Sequence, residues 1–318
     1  MSTTTMTQVS SFQTITKTLG WLVRFAVLVI VYFILFAVGG GLVAPYLPAI
    51  PAEPGPVPQM TGLLIVCGLT VLVITLMIYS SRWYGWKLIL LMSVAFYLVM
   101  TLVTQLESWY FLLGITIGPE LMARLFLQGI PTAFIFIPLA VLMMGRDRAR
   151  ANDNTSPEIA PMPLKEWFWK LGVIYLAYLV LYYAAGYFIA WQNPEVRAFY
   201  GSPGEALPFV QQMVHIFGDD PWLTPYQLLR TLIWVAGAYS IIRGSRLPRW
   251  QTALIVGLTL SIPQNIGHIL PNPLIPSNSV RISHLIETAS STFVFGLIVT
   301  WLLYPKYISN LKNEALRS

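Results

Sequence analysis

Charge is the first thing this sequence lacks. Asp, Glu, Lys and Arg make up 10% of its 318 residues, where a soluble domain carries about a quarter. So few charges cannot cover a water-exposed surface. With 56% of the chain hydrophobic, most of the folded surface is expected to face lipid. Cysteine is nearly absent too: Cys67 stands alone inside an apolar run, which excludes an intramolecular disulfide and a Cys-based zinc site. Catalytic signatures are missing as well. There is no phosphate-cradling Gly-rich loop, no Ser/His/Asp set and no metalloprotease helix motif. The formal net charge of +6 does not point to nucleic acid, because the basic residues lie in short connectors rather than on one face.

Long apolar runs are what the chain has instead. A helix crosses a bilayer in about 20 residues, and eight runs are long enough, near 20–45, 60–80, 85–105, 119–144, 166–191, 224–243, 249–270 and 280–304. The predicted fold is all-α: a polytopic integral membrane protein of eight transmembrane helices. The first run, Leu19 to Val43, outlasts the roughly 7–15 residues of a signal-peptide core, so it is read as a retained helix. Lys17, Arg82, Lys87, Arg146, Arg148, Arg150, Lys165, Arg243, Arg246, Arg249, Lys306, Lys312 and Arg317 all fall on one side of such an arrangement. That side is the expected cytoplasm, with both termini there and the chain in the cytoplasmic (inner) membrane of a prokaryotic-type cell. Trp21, Trp83, Trp86, Trp109, Tyr110, Trp167, Trp191 and Tyr304 mark helix ends as an interfacial belt does.

The organisation follows from one polar break. Residues 145–165 read as a cytoplasmic linker between a first four-helix unit, 1–144, and a second, 166–304, with a tail over 305–318 and a long outer loop over 193–223. The units share spaced residues. Trp21-x-x-Arg24, Tyr32 and Gly40 recur as Trp167-x-x-Lys170, Tyr178 and Gly186, Ser81-Arg82 and Trp86 as Ser245-Arg246 and Trp250, and TAFIF at 132–136 as STFVF at 291–295. Four helices per unit makes the expected tandem repeat parallel. In the outer loop, Phe209, Met213 and Phe217 share one face of a predicted amphipathic surface helix, and His215 lies off that face.

Four predicted helices carry polar stripes in their outer halves. Arg281, His284, Glu287, Thr288 and Ser291 share one third of the last helix; Ser261, Gln264, Asn265 and His268 line the seventh, beside Pro263. Gln227, Arg230 and Thr231 line the sixth, and Glu120, Arg124 and Gln128 the fourth. Ionisable groups in hydrocarbon normally face the bundle interior, so one outward-opening pocket is expected. With Arg124, Arg230 and Arg281 set against Glu120 and Glu287, its charge favours an anion such as a lipid phosphate or a carboxylate. His268, His284 and Glu287 would orient the ligand or carry a linked proton, and Gln264 and Asn265 would supply hydrogen bonds.

The blander reading pairs Glu120 with Arg124, pairs Arg230 with Glu287, makes the amides interhelical glue and sends Arg281 to the headgroups. His284, Glu287 and His268 make a workable metal set, but the nearby arginines repel a cation, so neither a metal nor another cofactor is expected. Pro119-Glu120-Leu121-Met122-Ala123-Arg124 resembles the Glu-Glu-x-x-x-Arg motif of the CAAX-protease-like membrane family. Pro119 replaces its first Glu, and no Phe-x-x-x-His follows. The leading expectation is binding or transport of an anionic, lipidic ligand, with membrane lipids as partners. A membrane enzyme acting on a lipid through His284 and Glu287 and an accessory subunit of a membrane complex are the rivals. The first unit lacks the polar set, since Met100 and Thr104 stand where the second has Gln264 and His268.

Overall fold

A computed structural model describes residues 3–148 and 159–307, and among them the regular structure is all helical, with no strand. The helices are α1 Thr3–Val43, α2 Gln59–Ser80, α3 Gly85–Tyr97, α4 Val103–Leu112, α5 Pro119–Leu127 and α6 Ile137–Met143. After the linker come α7 Leu164–Ala185, α8 Pro194–Phe199, α9 Phe209–Asp219, α10 Leu223–Gly244, α11 Arg249–Asn265 and α12 Asn278–Leu303. Wider π-helical turns at Leu98–Leu102, Pro131–Phe136 and Gly186–Ala190 join α3 to α4, join α5 to α6 and extend α7. Among the described residues six helical segments are long and apolar enough to cross a membrane: Thr18–Tyr46, Gln59–Ser80, Gly85–Leu112, Pro119–Met143, Leu164–Ala190 and Asn278–Leu303. The chain is therefore a helical, membrane-embedded protein.

The packing has an inner and an outer layer. α2 packs on α11 and α3 on α10, while α1 lies outside α2 and α5, and α7 outside α10 and α12. α2 is apolar on every face, burying Val66, Val71 and Ile74 against its neighbours and leaving Met60, Leu64 and Leu72 exposed on the other side, as a membrane-spanning helix does. α1 and α7 turn Val23, Ile30, Ile34, Phe168, Leu176 and Val180 outwards, exposed. α11 and α12 approach most closely where Gly257 meets Gly296: a methyl group on Gly296 would come 2.7 Å from the Gly257 Cα. Small residues at such a crossing let two backbones touch and gain dispersion energy where lipid offers no hydrophobic drive. Inside α11, Pro263 removes one hydrogen-bond donor, and the helix gives way to a 3₁₀ turn, Ile266–Ile269, two residues later.

The bounds of the two halves correspond. Gln59 to Leu223, Ser80 to Gly244 and Gly85 to Arg249 are each 164 positions apart. At the helix ends nearest the basic connectors, the two halves clasp each other. Ser81 pairs with Ser245 in an antiparallel bridge; Arg82 N–H donates to Gly244 O at 2.7 Å and Arg246 N–H to Ser80 O at 2.9 Å. The side chains exchange as well, Arg82 Nε donating to Ser245 O at 3.1 Å and Arg246 to Tyr79 O at 2.8 Å. Tyr32 meets Phe136 at 5.0 Å in the first half, and Tyr178 meets Phe295 at 4.9 Å in the second. At the opposite end α9 lies against α7, with Phe209 stacked on Phe188 and Phe217 edge-on to Tyr183. His215 is exposed there beside Asp219.

Candidate functional site

Arg230 anchors a polar space inside the bundle. It sits two turns into α10, 4% exposed, because α10 is enclosed by α3, α7, α11 and α12. A guanidinium in such surroundings requires partners. Its Nη2 donates to Glu107 Oε2 at 2.8 Å and its Nη1 to Gln227 Oε1 at 3.1 Å. The rings of Tyr178, Tyr182 and Tyr226 surround it at 5.8–5.9 Å. Its Nε has no partner among the described residues.

α12 supplies the facing wall. His284 Nδ1 lies 3.0 Å from Glu287 Oε2, and its Nε2 lies 3.2 Å from Tyr200 Oη. Burial of Tyr200, in the loop after α8, pushes its phenol well above the ordinary range, so the hydroxyl keeps its proton and can donate to Nε2 of a neutral ring. In the neutral ring the Nδ1–H then donates to Glu287. Glu287 Oε1 reaches towards Gly186, where a methyl group would sit 3.5 Å away. Thr288 Oγ1 donates to Asn265 Oδ1 at 2.7 Å, and Asn265 Nδ2 to Ser261 O at 2.7 Å. His268 Nδ1 donates to Asn265 O at 2.9 Å, and Thr104 Oγ1 to Gln264 Oε1 at 3.3 Å.

Between these walls is a small chamber bounded by Glu107, Tyr178, Leu181, Tyr182, Arg230, Gln264, Glu287, Thr288, Ser291 and Thr292. A water centre can occupy about 20 Å³ of it, room for roughly one molecule. At 1.5 Å per helical residue, Arg230 lies about 10 Å and Glu287 about 14 Å inside the ends of α10 and α12 that face away from the basic connectors.

The predicted pocket residues are thus divided. Arg230, Gln264 and Glu287 line the chamber; His284, His268 and Asn265 form a second row behind it. Arg281 is elsewhere. Fully buried, it donates to the carbonyls of Ile275, Pro276, Glu53 and Pro54 at 2.6–3.3 Å and to Asn278 Oδ1 at 3.4 Å, tying two outer loops together. Arg124 lays its guanidinium 3.6 Å over the Tyr46 ring, and Glu120, exposed, makes no ion pair with it. Gln128 is near the chamber only in sequence pattern; its carbonyl packs against Gly39. The expected cluster of three arginines is therefore not assembled. The chamber holds one guanidinium against two carboxylates, and the partner of Arg230 is Glu107 rather than Glu287.

Glu107, Tyr178, Tyr182 and Tyr200 were not visible as site residues in the sequence. Glu107 lies beyond the apolar run that ends near 105, yet the helix continues to Leu112. The tyrosines resemble ordinary interfacial aromatics. Among the described residues, no group of three His, Cys, Asp or Glu side chains is placed to hold a metal ion. No protein-family model, curated protein or solved structure matches this chain.

Proposed function

We propose that the chain is a parallel tandem repeat of two four-helix units in a cytoplasmic membrane, eight spans in all, with both termini on the cytoplasmic side. α10 and α11 complete the eight. The equal offsets of the helix bounds and the reciprocal Ser81–Ser245 clasp support the repeat. Collection of the basic connectors at the clasped end supports the orientation.

Within that frame we infer a protein that binds or transports a small cation, a proton included, at the chamber of the outer half. One observation carries the ligand class: the only guanidinium lining the chamber is already neutralised by Glu107, while Glu287 faces the same space. An anion would have to displace a carboxylate there; a cation or proton completes the charge balance. The His284–Glu287 pair gives a proton a second seat one bond away from the chamber. The test uses proteoliposomes loaded with a pH-sensitive dye, with a potassium diffusion potential or gradients of sodium, potassium or methylammonium. Protein-dependent proton movement is expected with at least one of them, falling at least tenfold in Glu287→Gln. No movement under any gradient, or full movement in the variant, would end this reading.

A second reading rests on the Glu287–His284–Tyr200 chain. A ring held by a carboxylate at Nδ1 and facing a hydroxyl at Nε2 is oriented as a general base. It makes the protein an outer-leaflet enzyme acting on a lipid. It expects the purified protein to hydrolyse a fluorescent short-chain phospholipid, with His284→Ala abolishing turnover; equal rates in the two proteins would exclude it.

A further inference from the structure

A second cavity lies at the opposite end of the bundle, among the inner ends of α7, α10 and α12. Glu166 and Lys170 come from the first turns of α7, Tyr239 and Arg243 from the last turns of α10, and Lys306 from just after α12. Its lip is Ala160–Met162, held in place by Ala160 N–H donating to Lys306 O at 2.9 Å and by the Ile159–Tyr307 bridge. A water centre can occupy about 30 Å³ of it, more than in the outer chamber.

Among the described residues the charges in this cavity do not balance. Lys170 Nζ at 2.8 Å and Lys306 Nζ at 3.5 Å both contact Oε1 of Glu166, so one carboxylate serves two ammonium groups. Arg243 has no hydrogen bond, ion pair or ring contact among the described residues. Three cations therefore surround one anion, a surplus of two positive charges. Ordinary positive-inside bias puts cations in open connectors, where water neutralises them at little cost. Lys170 instead has a side chain only 9% exposed, and a buried ammonium with half a counter-ion is costly. The first half matches this set only in part: Arg24 stands at the position of Lys170, but Gly20 and Tyr79 stand at those of Glu166 and Arg243.

We propose that this cavity binds a phosphate group. Its tetrahedral oxygens suit a guanidinium fork from Arg243 and the two ammonium groups of Lys170 and Lys306; a phospholipid phosphodiester offsets one charge of the surplus and free phosphate up to two. The mouth opens at Lys306, whose side chain is 64% exposed, at the level where headgroups meet water. The phosphate belongs either to an anionic phospholipid or to a soluble ion. This inference is independent of the outer chamber.

The test is the apparent melting temperature of the full-length protein in a mild neutral detergent. The probes are dihexanoyl phosphatidylglycerol, dihexanoyl phosphatidylcholine and inorganic phosphate, each against sodium chloride of equal ionic strength. A rise of a few degrees at saturation is expected. Arg243→Gln should weaken its concentration dependence on the order of tenfold or more. The exposed Lys306→Gln should do so to a smaller extent, and Arg148→Gln, outside the cavity, not at all. A rise with phosphatidylglycerol alone assigns the site to a lipid headgroup; a rise with inorganic phosphate as well assigns it to the free ion. A rise that survives in both Arg243→Gln and Lys306→Gln, or no rise beyond that from sodium chloride, overturns the proposal.

Discussion

Arg281 and Arg230 are both buried in the helical bundle, and their surroundings give them different jobs. Arg281 spends its donors on four backbone carbonyls and Asn278, so its charge is dispersed over loop dipoles that hold Glu53–Pro54 against Ile275–Pro276. Arg230 meets a full negative charge at Glu107. On a helical wheel Arg281 shares a stripe with His284 and Glu287, which is why the pattern groups them; the wheel gives direction but not depth. Arg281 stands one turn nearer the helix start than the pair, at the level of the loops. Loop carbonyls leave no trace in a hydropathy pattern, so its true partners were not legible. The Arg230–Glu107 pair makes a quantitative prediction. Glu107→Ala strands a buried cation and should cost about 3 kcal/mol. Adding Arg230→Met removes that charge and should restore most of the loss. Unfolding of the two variants in detergent decides the matter: equal destabilisation would mean that the two groups do not interact.

Helix positions, unlike partners, were largely readable from the chain, and the discrepancies have local causes. α3 and α4 run on to Leu112 through the π turn at Leu98–Leu102, past the point where hydropathy falls. That extension carries Glu107 into the bundle. In α11, Pro263 ends the regular helix two residues later, at Asn265, and puts His268 in a 3₁₀ turn rather than on the expected stripe. The clasp is the element with the clearest mechanical consequence. Ser81 and Ser245 are flanked by both exchanged backbone bonds, the arrangement in which facing Cα atoms lie about 4.5 Å apart, within the span a disulfide accepts. In a Cys67→Ala background, Ser81→Cys with Ser245→Cys should cross-link on mild oxidation, with the bond visible by mass spectrometry. If cation movement requires the inner ends of the two units to separate, oxidation should stop it and reduction should restore it. Unchanged movement in the cross-linked protein would show that the clasp stays closed throughout.

At the scale of the molecule, the two halves share a scaffold and divide the chemistry. Val66, Thr101, Gln128 and Gly129 of the first half stand where the second half has Arg230, Asn265, Glu287 and Thr288. The first half contributes Glu107 and Thr104 to the other's polar space instead. On the proposed repeat, duplicated packing with one chemically equipped copy explains why apolar spacing suggests the repeat while the site had to be found in three dimensions. It also ties the orientation of the site to that of the whole chain. In the proposed arrangement of eight crossings the linker and the clasp lie on one side and the loop with α8 and α9 on the other; α7 is the single span between linker and α9, so failure of α7 to cross would move α9 to the side of the linker. Single cysteines at Arg148 and Ser202, each in the Cys67→Ala background, separate the two arrangements. A membrane-impermeant maleimide should label Ser202→Cys in intact cells and Arg148→Cys only after permeabilisation, because the basic connectors are retained in the cytoplasm. Labelling of both in intact cells would mean that α7 does not cross the membrane. The reverse pattern would turn the chamber towards the cytoplasm and the phosphate cavity outwards.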